Sequence, residues 1–258
     1  MCNQCGCAVG TGTVEVLDAQ GVLSARSPTV ASVEVLTHLL HQNDRDAAHN
    51  RAHFDRHGVV AINLMSSPGS GKTSLLEATI DAIGDNCRIA VIEGDLATEN
   101  DAQRIRARGV PAVQIITGQT CHLDAQMVHG ALHALDLDAV DLLFIENVGN
   151  LVCPAGFDLG QHANVTLLSV AEGDDKPAKY PVIFRAADLV LLSKVDLLNV
   201  LDDFSPDQAR RHVRELASDA PVLEVSARLP ASLTRWLDWL EQRLNSSRAA
   251  VEHTESAS

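Results

Sequence analysis

From Val59 onward the chain alternates two hydrophobic rhythms. Short, nearly unbroken apolar runs (VVAINLM, RIAVIEG, AVQIIT, VDLLFIE, NVTLLSV, DLVLLS and PVLEVS) read as strands buried on both faces. Between the early ones lie amphipathic stretches of helix length over 72–83, 98–108 and 123–135. Strands regularly separated by such segments predict βαβ units and a parallel sheet. Upstream, VEVLTHLLHQNDRDAAHNRAHFDRHG has helical spacing from about Ala31. It carries an apolar stripe at Val35, Leu36, Leu39 and Leu40, a polar stretch, QNDRD, as a point of division, and a stop at Gly58. Residues 1–30 show little periodicity and read as a flexible tail. SLTRWLDWLEQRL reads as the last helix, and 247–258 have a disordered composition. The expected organisation is therefore a tail over 1–30, a helical segment over 31–58, an α/β domain over 59–246 and a second tail over 247–258.

Composition narrows the class. With 258 residues there is room for one large α/β domain with appendages, and with only 3% aromatic residues its core must be mostly Val, Ile, Leu and Ala. No apolar run approaches the ~20 residues that cross a bilayer, and the first thirty residues lack a basic segment followed by an apolar one. The expectation is a cytoplasmic protein without membrane insertion. A formal charge of −14, with Lys and Arg scattered, argues against nucleic acid as a partner. The six cysteines lie at Cys2, Cys5, Cys7, Cys87, Cys121 and Cys153. In a reducing compartment they read as metal ligands or plain core residues sooner than as a disulfide framework.

The first apolar run leads into SSPGSGKTSLL, residues 66–76. A phosphate cradle needs backbone N–H groups turned into one concavity and a helix amino terminus behind them. Gly69 and Gly71 shape such a loop, Lys72 reaches the β- and γ-phosphates, and Thr73 is the Mg²⁺ ligand of the pattern. Ser66 stands where the strict pattern has its first glycine. A chance GSGKT in a tight turn is the alternative, disfavoured by its place between a strand and a helix. The fold class follows as a P-loop NTPase with a mostly parallel sheet flanked by helices.

Downstream, SKVD at 193–196 ends another apolar run. Asp196 suits the guanine ring N–H and exocyclic amine, which adenine cannot match, and the Lys194 stem suits packing on the base. Ser193 replaces the usual Asn, and Ser226–Ala227 suit the last loop of a guanine site. The expected nucleotide set is Gly69, Ser70, Gly71, Lys72, Thr73, Ser74, Lys194, Asp196, Ser226 and Ala227, with GTP/GDP favoured. Asp95, after the second strand, and Glu146, ending VDLLFIE before NVG, suit Mg²⁺ and switch roles, because carboxylates at strand carboxyl ends face the nucleotide crevice. The catalytic candidates are thus Lys72, Thr73, Asp95 and Glu146.

A second kind of chemistry adjoins the first. Cys121 and His122 sit in TGQTCHLDA, and Cys153 lies seven residues after Glu146 in ENVGNLVCP. Cys and His suit Zn²⁺ or Ni²⁺, and three protein ligands leave such a site incomplete without water or another subunit. Singly, each cysteine reads as a small core residue.

The combination of CxxCGC, SSPGSGKTSLL, VIEGD, TGxxCHLDA, IENVGNLVCPAxFDLG and EGDDKPxKYP resembles the hydrogenase nickel-incorporation GTPases of the HypB family, from Cys2 to Ala227. That family's own loop reads SSPGSGKT. The resemblance implies a GTPase that assists Ni²⁺ insertion into the [NiFe]-hydrogenase large-subunit precursor. It implies a metal site of Cys121, His122 and Cys153, and a separate tight nickel site of Cys2, Cys5 and Cys7 completed by the terminal amine. It further implies GTP-linked homodimerisation and partnership with the nickel metallochaperone HypA. Lys176 matches the family without a physical role of its own.

Two alternatives stand beside that expectation: a nickel storage or delivery protein with a structural nucleotide, and a urease-type maturation GTPase, which the CxxCGC and ENVGNLVCP stretches disfavour. With no arginine finger or positioned Gln evident, turnover should be slow. His49, His53 and His57 share one helical face, with His38 and His41 a turn apart upstream. They read as a solvated helix face, with weak metal buffering as the lesser alternative.

Overall fold

The computed structural model describes residues 14–17, 23–26, 30–96, 100–118, 120–216 and 218–255, with side chains from His38 to Arg248. Cys2, Cys5 and Cys7 lie outside the described residues. Within the segment expected to be a flexible tail, strands β1 (Val14–Leu17) and β2 (Leu23–Arg26) pair antiparallel. Helix α1 (Val30–His57) runs on without a break at QNDRD.

The main unit contains β3 (Val60–Ser66), α2 (Lys72–Ile83), β4 (Ile89–Asp95), α3 (Asn100–Arg106), β5 (Ala112–Ile116), α4 (Ala125–Leu132) and β6 (Leu142–Glu146). It continues with β7 (Ala163–Ser169), short helices α5 (Lys176–Lys179) and α6 (Pro181–Arg185), β8 (Leu189–Ser193), α7 (Pro206–Glu215), β9 (Val222–Glu224) and α8 (Thr234–Glu255). The seven strands β3–β9 form one parallel sheet in the order β5-β4-β6-β3-β7-β8-β9. Each apolar run of the sequence is a strand, and both faces of the sheet are covered, which is why the runs do not alternate. Helix α8 extends through Glu255, past the expected end at 246. NSSRAAVEHTE holds no Gly or Pro to stop it. Among the described residues no helix is long and apolar enough to cross a membrane.

One core layer joins Ile62, Leu64, Leu76, Val91, Phe144 and Trp236 under α2 and α8; the other joins Phe54, Ile92, Leu123 and Ile145 under α1 and α4. Fully burying side chains of this size contributes roughly 1.5–3 kcal/mol each. Trp236 satisfies its indole N–H on Thr79 Oγ1 at 2.9 Å, so its burial leaves no orphan donor.

On helix α1 the described members of the apolar stripe divide: Leu39 is exposed and Leu40 half-buried, while the side chains of Val35 and Leu36 lie outside the described residues. Among the described side chains of α1, the buried positions are Asn43, Ala47, Asn50 and Phe54, spaced by four, three and four residues. Asn43 donates to the Asp158 carbonyl (2.8 Å) and accepts from the Ala125 N–H (2.9 Å). Asn50 donates to the carbonyls of Ala125 (2.8 Å) and Leu159 (3.1 Å). Two buried amides thus dock α1 onto the start of α4 and the 158–160 turn. A Cβ on Gly160, whose φ is +87°, would meet the Ala47 carbonyl at 2.6 Å, so only glycine permits this approach.

Candidate nucleotide and metal site

The carboxyl ends of the parallel strands gather the chemistry at one edge, as open α/β sheets do. β3 ends at Ser66 and the loop 67–71 turns the chain into α2. Gly69 (φ +75°) and Gly71 (φ +97°) hold left-handed conformations, the latter capping α2. A Cβ on Gly69 would meet nothing within 4 Å, so the loop presents backbone to an open concavity. Glycines, a helix amino terminus and the buried Lys72 fit an anionic phosphate chain. The adjoining cleft, of about 430 Å³, is lined by Lys72, Thr73, Asp95, Asp101, Arg104 and Glu146 among others. The Thr73 hydroxyl and the Asp95 carboxylate on this cleft are the kind of oxygen donors a hard divalent cation takes.

Glu146 accepts from Thr73 Oγ1 at 3.0 Å and lies 3.7 Å from Lys72 Nζ. Lys72 also donates to Ser66 Oγ at 3.2 Å, so Ser66 occupies a working position in the loop. Beside Glu146 stands Glu93, its register partner across β4 and β6, which the sequence reading passed over. Both carboxyls are buried, and Glu93 Oε1 and Glu146 Oε2 have no hydrogen-bond partner. Burial first, and the neighbouring Glu146 charge second, push the Glu93 carboxyl far above the usual range. Burial raises Glu146 as well, opposed by Lys72. Burial and the adjacent charge thus favour the protonated form of Glu93 beside Glu146. A carboxylate interrupting the apolar run IAVIE on its core-facing parity was the available signal.

The candidate base side is equally ordered. Ser193, Lys194, Asp196, Ser226 and Ala227 line one further cleft of about 550 Å³ that adjoins Gly71 and Ser74. Ser193 Oγ donates to the Ser70 carbonyl (2.7 Å), Lys194 Nζ to the Gly69 carbonyl (2.6 Å), and Asp196 Oδ1 accepts from Ser226 Oγ (2.6 Å). Lys194 has φ +61°, alone in this among the described non-glycine residues, and its stem passes beside Gly71. Glu172 closes the loop from the β7 side, accepting from Ser70 Oγ (2.6 Å) and from Ser67 Oγ. Sequence reading missed this residue too, although it lies in the EGDDKP stretch. In that stretch Lys176 lies 5.6 Å from the Tyr180 ring centre, a cation–π contact that gives it a structural role.

The thiol–imidazole set is also assembled. Cys121 Sγ and Cys153 Sγ are 3.0 Å apart, Cys121 Sγ and His122 Nδ1 3.9 Å, and all three ligand atoms fall within 4.8 Å of one another. His122 is buried with its ring stacked on Phe157 at 3.9 Å, and burial lowers its pKa, which favours the neutral, ligating imidazole. Two thiols and an imidazole fit a soft or borderline divalent metal. Cys87 stands apart, its thiol raised to about 11 by burial, and reads as a packed core residue.

The segment 146–153 links the two centres. The Asn147 N–H donates to the Leu64 carbonyl (3.0 Å) and the Asn150 N–H to the Ser66 carbonyl (2.7 Å). The Asn150 side chain reaches the Cys121 carbonyl at 3.3 Å. A Cβ on Gly149 would stand 2.8 Å from Pro68 Cα, so the segment lies directly against the phosphate loop.

Fold and site together define a P-loop nucleotide-binding protein with a thiol–imidazole cluster beside the 146–153 segment. Residues 60–224 match the CobW/HypB/UreG nucleotide-binding domain. Hydrogenase maturation factor HypB of Azotobacter vinelandii is 52% identical over 237 residues, covering 90% of this chain and 78% of that protein. The HypB of Escherichia coli K12 is 51% identical, covering 81% and 72% respectively. The crystal structure of HypB from Helicobacter pylori in complex with nickel superposes with a TM-score of 0.76 at 42% identity, covering 80% of this chain and 96% of that one. The chain belongs to the HypB family of hydrogenase maturation factors, a family of P-loop GTPases.

Proposed function

We propose that this protein is a GTP-driven nickel carrier in which the nucleotide state sets the affinity of the Cys121, His122 and Cys153 centre. Gly69, Ser70, Gly71, Lys72, Thr73 and Ser74 hold the phosphates. Lys194 packs on the base, Asp196 reads guanine, and Ser226 and Ala227 close the base pocket. Thr73 and Asp95 hold Mg²⁺, which supplies charge neutralisation at the β- and γ-phosphates. Ni²⁺ is the cargo, and Zn²⁺ meets the same ligand chemistry. Supporting nickel as cargo, the Helicobacter pylori relative was solved with that metal.

The observation that carries the coupling is the short connector. Glu146 bonds Thr73 in the phosphate loop, and seven residues later Cys153 meets Cys121 at 3.0 Å. A γ-phosphate that rearranges 146–150 must therefore move a metal ligand. Slow intrinsic turnover is part of the reading: Arg104 lines the phosphate cleft, yet its guanidinium is engaged by Glu77 and Asp101. Cys2, Cys5 and Cys7 are assigned a separate nickel-holding role, HypA the role of donor, and the [NiFe]-hydrogenase large-subunit precursor that of recipient, in the cytoplasm. Two copies meet through the metal-centre face when GTP is bound.

The test measures Ni²⁺ and Zn²⁺ affinity and stoichiometry in the full chain, with GDP and with a nonhydrolysable GTP analogue. A nucleotide-dependent change confined to the site lost in Cys153→Ala is expected. Invariant affinity would sink the coupling, and undiminished hydrogenase maturation with Lys72→Ala would favour a storage protein with a structural nucleotide.

A further inference from the structure

Five histidines at the α1–α4 junction have no part in the nucleotide or thiol chemistry. His49 and His53 stand one turn apart on α1, with Nε2 atoms 3.1 Å from each other. His129 reaches them from α4, its ring centre 4.9 Å from that of His49 and 5.8 Å from that of His53. One ring nitrogen from each of the three falls within 4.8 Å of the others. His57, which shares the α1 face by sequence, is diverted to Asp138 at 2.7 Å, and His133 packs edge-on against His129.

We propose that His49, His53 and His129 form a second metal site, for a borderline divalent transition-metal ion of the nickel or zinc kind.

Two features of the geometry carry this. An N···N separation of 3.1 Å subtends about 95° at a metal held by bonds of ~2.1 Å, the angle between adjacent ligands in an octahedral or square arrangement. The tautomer of His129 is also set. Asn50 donates its amide N–H groups to the Ala125 and Leu159 carbonyls, which leaves its Oδ1 as an acceptor 3.1 Å from His129 Nδ1. His129 therefore carries its proton on Nδ1, and the Nε2 lone pair points away from that anchor. Fixing one ring nitrogen by a buried amide is how proteins orient an imidazole ligand. Burial, and then the neighbouring imidazoles, lower the pKa of His53 and His129, consistent with neutral rings. The adjoining cleft is lined by Gln42, Asp46 and Gln126 as well as His49 and His129, so oxygen donors and water can complete the shell.

Such a site clamps α1 to α4, whereas the thiol centre lies on the loops that precede α4 and follow β6. The experiment compares the reduced full chain with His49→Gln/His129→Gln, by equilibrium dialysis against Ni²⁺ alone and Zn²⁺ alone. The expected result is loss of one equivalent of either metal from the variant, with thiolate-to-nickel charge-transfer absorption and GTP turnover unchanged and a hundredfold excess of Mg²⁺ without effect. Metal should also raise the Tm of the parent more than that of the variant. If the double variant does not fold, His53→Gln, a half-buried helix position, must show the same loss. Equal stoichiometry in parent and variant, displacement by Mg²⁺, or loss of the thiolate band together with the missing equivalent overturns the proposal.

Discussion

Ser193 Oγ donates to the Ser70 carbonyl at 2.7 Å, tying the loop after β8 to the phosphate loop across the sheet edge. Ser193 stands where guanine-binding loops usually carry Asn, and the bond shows what the position does here: it holds the phosphate loop beside Lys194. Removing the hydroxyl leaves a buried carbonyl without this donor, which costs about 1–3 kcal/mol. Ser193→Ala is expected to weaken GDP and GTP binding roughly tenfold, with Ser193→Asn restoring most of it. Fluorescent-nucleotide titration checks both.

Glu172 binds the same loop from the other side, through Ser67 and Ser70. Hydrogen bonds to a charged acceptor contribute about 1.5–3 kcal/mol. Glu172→Ala is expected to raise the KM for GTP about tenfold while changing kcat less than threefold, since the residue positions the loop and touches no reacting atom. An unchanged KM in steady-state phosphate release would refute this.

Gly149 lies against Pro68 so closely that any Cβ would sit 2.8 Å from backbone. Gly149→Ala must push the 146–150 segment off the phosphate loop, at a cost of about 1–3 kcal/mol. A fall in Tm of about 2–4 °C per kcal/mol is expected, together with weaker dependence of metal affinity on nucleotide. Calorimetry and metal titration read the two effects separately.

The Glu93–Glu146 pair gives a pH dependence of definite sign. Burial raises the folded-state pKa of Glu93 above its unfolded value, so the folded state binds the extra proton. The stability tied to that proton is complete below the ordinary carboxylate range. It is lost progressively as pH rises above that range toward the folded-state pKa. Glu93→Gln keeps a donor toward Glu146 and removes the titration. Its Tm is expected to fall less steeply than the parent's between pH 6 and pH 9.5; parallel curves would remove the protonated Glu93 from consideration.

Much of the site was legible because its signals are local. GSGKT between a strand and a helix is contiguous, and a phosphate cradle is a property of consecutive backbone N–H groups. Lys194–Asp196 and Cys121–His122 are equally compact, and each follows a strand whose carboxyl end faces the crevice. Glu93, Glu172 and His129 escaped for the opposite reason. Each is a single side chain whose partner lies tens of residues away, so its meaning depends on strand order and helix packing. The rest of the buried face of α1 was not legible, because it includes Asn43 and Asn50, polar residues that enter the interior only where the 158–160 turn and the start of α4 supply partners.

By itself the sequence determined the parallel α/β architecture and pointed to the phosphate loop, the candidate base-side residues and the candidate thiol ligands, since periodicity and loop chemistry are written in neighbouring residues. The tertiary structure alone decided that Glu93 stands beside Glu146, that Glu172 bonds the phosphate loop, and that His129 joins His49 and His53. Those pairings arise from strand register and from helices docking across the sheet, and no local pattern specifies which distant side chains such packing brings within bonding distance.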